Sequence, residues 1–320
     1  MGDEPALRSV YAPAFHVVGA LLAPALGLPL AVKVVAWLSA AALIAGFRSF
    51  QRAADLPSAC AALFPWTPYL FALSWCLPKV EAAGYALAFL GLAFLMRGRR
   101  GAAGACLAAT FLVHTAAALV FGLCGGVLAL VRRDARALAA LAGGALAASP
   151  LLAAHLAAGC TLREALLFSH GDYLRAAGRW SSADAAWRIA ILAGPIGVAA
   201  ALLGAPRLWR EHRTVAAVAA TVVALCLNEL WLAPLGIATT LNLMRSLSLL
   251  AFAVAAASGV FAAAHRGLAP ALVAACAVFA AGAALLAVPG SCHREPVDPA
   301  RVAATHVDRC AFRWSFAQER

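Results

Sequence analysis

The chain has 320 residues, of which 64% are hydrophobic and 12% charged, with a mean hydropathy of +0.86 and a formal net charge of +11. Soluble domains average about 45–50% apolar and about 25% charged residues, so this balance excludes a water-soluble globular enzyme, a disordered chain, a coiled coil and a disulfide-rich secreted module. What it leaves is an all-α, polytopic transmembrane helical bundle. The positive charge is a matter of topology: the arginines sit in short clusters between apolar stretches and form no continuous basic face, which excludes nucleic acid as a partner.

The N-terminus, MGDEPALRSVYAP, is acidic and polar and lacks the positive n-region of a cleavable signal peptide. Asp3 and Glu4 read there as a frayed end. Residues 12–27 hold two prolines and a histidine and are short for a crossing; they form either a first pass or an external helix lying on the membrane. A crossing needs about 20 apolar residues. Stretches of that kind occupy 31–47, 58–76, 82–96, 137–158, 189–206, 214–233, 246–264 and 268–288.

The connectors are short and rich in arginine: Arg48 and Arg52; Arg97, Arg99 and Arg100; Arg132, Arg133 and Arg136; Arg207, Arg210 and Arg213; His265 and Arg266. The positive-inside rule assigns all five to the cytoplasm. That assignment constrains residues 102–131, which have basic clusters on both sides. As one helix they would be about 45 Å long, too long for one crossing and short for two. The spacing predicts two short helices turning near His114 and Thr115, with Gly122, Gly125 and Gly126 allowing close packing.

The total is about ten membrane-crossing helices. One transmembrane domain spans 1–288, with 12–27 as a possible interfacial helix and 159–188 as an external loop, and an external polar tail follows at 289–320. Scarce lysine and methionine beside abundant alanine, leucine and arginine suit a GC-rich bacterial genome, and hence the inner (plasma) membrane.

Cys60, Cys76, Cys106, Cys124, Cys226 and Cys276 lie in apolar stretches, where a thiol acts as a small hydrophobe. Cys292 and Cys310 in the tail could pair in an oxidising space. With His293 and His306 they could also bind zinc, but the spacing fits no usual ligand pattern, so ligand spacing supports no divalent metal. No cofactor is identified.

Ionisable residues inside a bilayer are costly and mark function, so each candidate can be weighed. Arg245, in NLMRSLSLLAF, is an anion clamp, a snorkelling interfacial arginine or a partner for Glu229. Glu229, beside Trp231, is a base, an ion-pair partner or an interfacial carboxylate. His114 could donate to a phosphate, act as an acid–base, or satisfy carbonyls freed at the helix break. Lys79 and Glu81, in CLPKVEAAG, form either a binding hairpin or a solvated turn. His170, Asp172 and Tyr173, in FSHGDYLR, are the most polar cluster of the external loop and could take a metal or a polar substrate. No Walker loop, GxSxG, HExxH or dinucleotide fingerprint occurs.

Several stretches resemble GT-C-type polytopic membrane glycosyltransferases: YAPAFHVVGALLAPALGLPLAVKVVAWLSAAAL, LPKVEAAGYALAFLGLAFLMRGRRGAAGACLAATFLVHTAAALV, NLMRSLSLLAF and the terminal CAFRWSFAQER. The resemblance covers about two-thirds of the chain, and its motifs are loose. It implies transfer of a sugar from a polyprenyl-phosphate carrier to an acceptor at the outer membrane face. An early external carboxylate would be the catalytic base and basic residues would hold the lipid phosphate. Asp3 or Glu4 matches the early acidic position, and Arg245 and His114 match the phosphate-holding positions. Three departures stand out: Thr115 replaces the expected proline, the family's first helix has no counterpart ahead of Asp3, and the chain stops soon after the tail motif; the resemblance then implies either a truncated or a degenerate relative. The alternative is a non-catalytic membrane protein, a transporter or an assembly subunit of an envelope-polymer pathway.

Overall fold

The computed structural model describes residues 14–68, 70–71, 81–157, 193–226, 243–265 and 267–291. All regular structure among them is helical, with no strand. Helix α1 (Ala14–Leu26) has 13 residues, or about 20 Å, less than the hydrocarbon thickness of about 30 Å. Gly27, at φ 74, breaks the chain before α2 (Leu28–Ala53). Within α2, Leu30–Ala53 is the one described helix long and apolar enough to cross a membrane alone; the other apolar helices are shorter.

Where the sequence reads one stretch at 58–76, the chain forms α3 (Ser58–Leu63), a 3-10 turn (Phe64–Trp66) and an extended Thr67. Two prolines cause this. Pro65 opens the turn, and Pro68 forces Thr67 to ψ 132, away from the helical region. The 137–158 stretch is likewise divided, into α7 (Ala135–Ala147) and α8 (Ser149–Ala157), with Pro150 just inside the second helix. Between these lie α4 (Glu81–Met96), α5 (Arg100–Val113) and α6 (Thr115–Val131). After residues 158–192 come α9 (Pro195–Glu211) and α10 (Arg213–Cys226), then α11 (Leu243–Ala264) and α12 (Leu268–Ser291).

The core is aromatic at its centre and built from small residues elsewhere. Phe47, Phe50, Phe64, Phe89 and Phe252 bring α2, the 3-10 turn, α4 and α11 together, with the Phe47 and Phe64 rings stacked 4.1 Å apart. Elsewhere backbones touch directly. A side chain at Gly104 would strike the Ala140 carbonyl, one at Gly144 the Gly104 carbonyl, and one at Gly204 the Ala257 carbonyl. The expected glycine contacts on α6 need correction: only Gly125 packs closely, against Leu95 and Leu141, while Gly122 and Gly126 have nothing within 4 Å. Cys60, Cys106, Cys124, Cys226 and Cys276 form no disulfide and are buried as small apolar residues.

Side-chain bonds fix where the helix ends lie. Arg100 Nε donates to both Asp134 oxygens, at 2.9 and 2.8 Å. Arg132 Nη1 donates to the Leu95 and Met96 carbonyls, each at 3.0 Å, and Arg97 Nη2 to the Ser49 carbonyl at 3.4 Å. The start of α5 and the end of α6 are therefore neighbours, and residues 100–134 go out and come back. Cys60, just past the Arg52 turn, packs on Gly259, so α11 runs toward that same end and delivers His265 there. Helix α9 runs alongside α11, with Gly197 on Val254 and Gly204 on Ala257, and delivers Arg207 and Arg210 there too. The basic connectors gather at one end of the bundle.

Candidate functional site

The opposite end holds His114. It is the only non-helical residue between α5 and α6, with φ −163 and ψ 104. Its backbone N–H donates to the Thr110 carbonyl at 2.7 Å, closing α5. Its ring Nδ1 accepts from the Ala117 N–H at 3.1 Å, capping α6. The ring thus satisfies an amide at the break, where carbonyls were the expected partners. While Nδ1 accepts this bond, the ring's remaining N–H donor is at Nε2.

Helix α4 begins against this break. Gly84 makes the approach possible: a Cβ there would lie 2.8 Å from His114 Cβ and 2.9 Å from Ala117 Cβ. Either side of Gly84, Tyr85 is fully buried and Glu81 is 4% exposed. The Tyr85 and His114 rings sit 6.4 Å apart between centroids. Among the described residues Glu81 is the one charged side chain in the buried set, which corrects its reading as a solvated turn. Its place in the first turn of α4 suits a carboxylate, because the helix dipole is positive there.

A carboxylate, a phenol and an imidazole thus gather where two helices break and a third begins. Such a set can accept and return a proton, and the imidazole Nε2–H can donate to an anionic oxygen. The hydroxyls nearby are committed to their own helices: Thr110 donates to the Cys106 carbonyl at 2.6 Å, and Thr115 to the Phe111 carbonyl at 3.4 Å.

Of the sequence candidates that the structure describes, His114 and Glu81 lie at the same end: Glu81 opens the helix whose Gly84 and Tyr85 meet His114. Arg245 falls on the first turn of α11, with its side chain outside what the structure describes. Asp3, Glu4, Lys79, His170, Asp172, Tyr173 and Glu229 lie outside the described residues, as do the tail residues Cys292, His293, His306 and Cys310. Sequence reasoning missed Tyr85 and Gly84. The signal for Tyr85 was its position one turn after Glu81; nothing in the sequence singled out Gly84. No group of three metal-ligating side chains occurs among the described residues.

A concavity lies elsewhere, between the 3-10 turn, α9, α11 and α12, lined by residues such as Trp66, Pro68, Ile196, Val254 and Phe279. Its Thr67 and Ser258 hydroxyls bond the Phe64 and Val254 carbonyls, so it offers packing surface and no chemistry. No protein-family model, curated protein or solved structure matches this chain.

Proposed function

We propose that the chain is a multi-pass protein of a bacterial inner membrane, with about ten crossings, that transfers a sugar from a polyprenyl-phosphate carrier at the outer face. The observation that carries the reading is the buried Glu81 beside Tyr85 and His114, at the end opposite the arginine turns. A carboxylate withdrawn from water is suited to take the acceptor's proton, and the His114 Nε2–H is suited to a phosphate oxygen. Arg245, on the first turn of α11, joins as the lipid-phosphate clamp that the resemblance implies.

The test is reconstitution into vesicles with a radiolabelled polyprenyl-phosphate sugar. Glu81→Gln is expected to lower transfer by about 10²–10⁴-fold, the usual share of a general base, without changing insertion. Arg245→Ala is expected to abolish binding of the lipid phosphate. Transfer or binding that survives both changes would remove this site from the function.

A further inference from the structure

The arginine end carries more charge than its own contacts use. Three turns meet there: the end of α2, the α4–α5 turn and the α6–α7 turn, joined by Arg97 to Ser49, Arg132 to Leu95 and Met96, and Arg100 to Asp134. The corner holds eight arginines against Asp55 and Asp134. Arg97, Arg100 and Arg132 serve as the internal ties. Arg48, Arg52, Arg99, Arg133 and Arg136 are exposed, and their side chains make no hydrogen bond or ion pair among the described residues. Directly before Arg132 and Arg133, Leu130 and Val131 are also exposed, at 63% and 43%.

We infer that this corner binds the phosphodiester headgroup of an anionic phospholipid, with the acyl chains lying against the Leu130 and Val131 flank. The inference rests on the bilayer reading above. Two features point to a lipid in preference to a soluble anion. The exposed guanidinium groups come from adjacent turns, and each is a forked donor suited to phosphate oxygens. The apolar flank lies next to them, where an acyl chain would follow its headgroup. The exposed arginines then act as lipid ligands in addition to setting orientation.

The experiment uses the full chain in phosphatidylcholine vesicles, with spin-labelled phosphatidylglycerol or spin-labelled phosphatidylcholine as probe. The expected result is a preference for phosphatidylglycerol of on the order of fivefold for each arginine engaged at low salt, shrinking as salt rises. R99Q/R133Q/R136Q is expected to bring the two probes close to parity, and R99K/R133K/R136K to keep part of the preference. Equal affinity in the unsubstituted protein, or a preference untouched by the glutamine changes, overturns the inference. Displacement of the labelled lipid by millimolar inorganic phosphate would assign the corner to a soluble anion and overturn it as well. Extraction of the protein from the vesicles by alkaline carbonate would overturn the bilayer reading, and this inference with it. Loss of sugar transfer alone touches neither.

Discussion

His114 does two jobs with one ring, and substitutions separate them. His114→Ala removes the Nδ1 acceptor for Ala117 and should cost about 1 kcal/mol, read as a lower melting temperature in detergent. His114→Asn restores a capping oxygen but no titratable proton, so stability should recover while any transfer activity stays low. At the other end, Asp134 accepts from Arg100 and caps α7 by accepting from Ala137 N–H at 3.1 Å. The Arg100 hydrogen bond in particular holds its carboxyl below the ordinary carboxylate range. A lowered folded pKa means that the contribution is present above the unfolded value, about 3.9, and fades as pH falls through the folded one. Melting followed across acidic pH should therefore show a smaller acid-induced drop in Asp134→Asn than in the unsubstituted protein.

Helices here are held by backbone contact as much as by side chains. Gly104→Val and Gly204→Val drive a branched side chain into the Ala140 and Ala257 carbonyls. Each should cost about 3 kcal/mol or more, seen as loss of the folded species on size-exclusion chromatography. Gly122→Ala, with nothing within 4 Å, should be neutral or stabilising by up to about 1 kcal/mol. The contrast shows what the sequence could convey at this scale. Helix existence was legible from apolar stretches, and the break at His114 from the lengths flanked by arginine. Which glycine faces a neighbour was not legible, because in an alanine-rich chain nearly every face is small and apolar. The breaks at Phe64–Thr67 and Ala148 were written in Pro65, Pro68 and Pro150, but continuous hydropathy masked them.

For the molecule as a whole, the arginine turns gathered at one end make an orientation measurable. In a background with all nine cysteines replaced by alanine or serine, Gly98→Cys and Arg133→Cys should react with an impermeant maleimide from the same side. Leu112→Cys, half-exposed near the His114 break, should react from the other. Labelling of positions 98 and 133 from opposite sides would dismantle the return of residues 100–134 and the placement of Glu81 and His114 at a common end. The candidate site was half legible in sequence. His114 and Glu81 were singled out as polar residues in apolar surroundings, but their meeting depends on α4 packing against a break formed by two later helices.

The lengths of α5 and α6 carry a last consequence. At 14 and 17 residues they reach about 21 and 25 Å, several ångströms less than a bilayer's hydrocarbon slab. On the proposed bilayer reading, arginines held at one headgroup layer would leave both helices short of the other, so lipid would thin locally or water would dip inward to meet them. On the proposed reading, the partly exposed imidazole would face a shallow wet dimple open to a small polar solute, while the Glu81 carboxylate stays buried behind it.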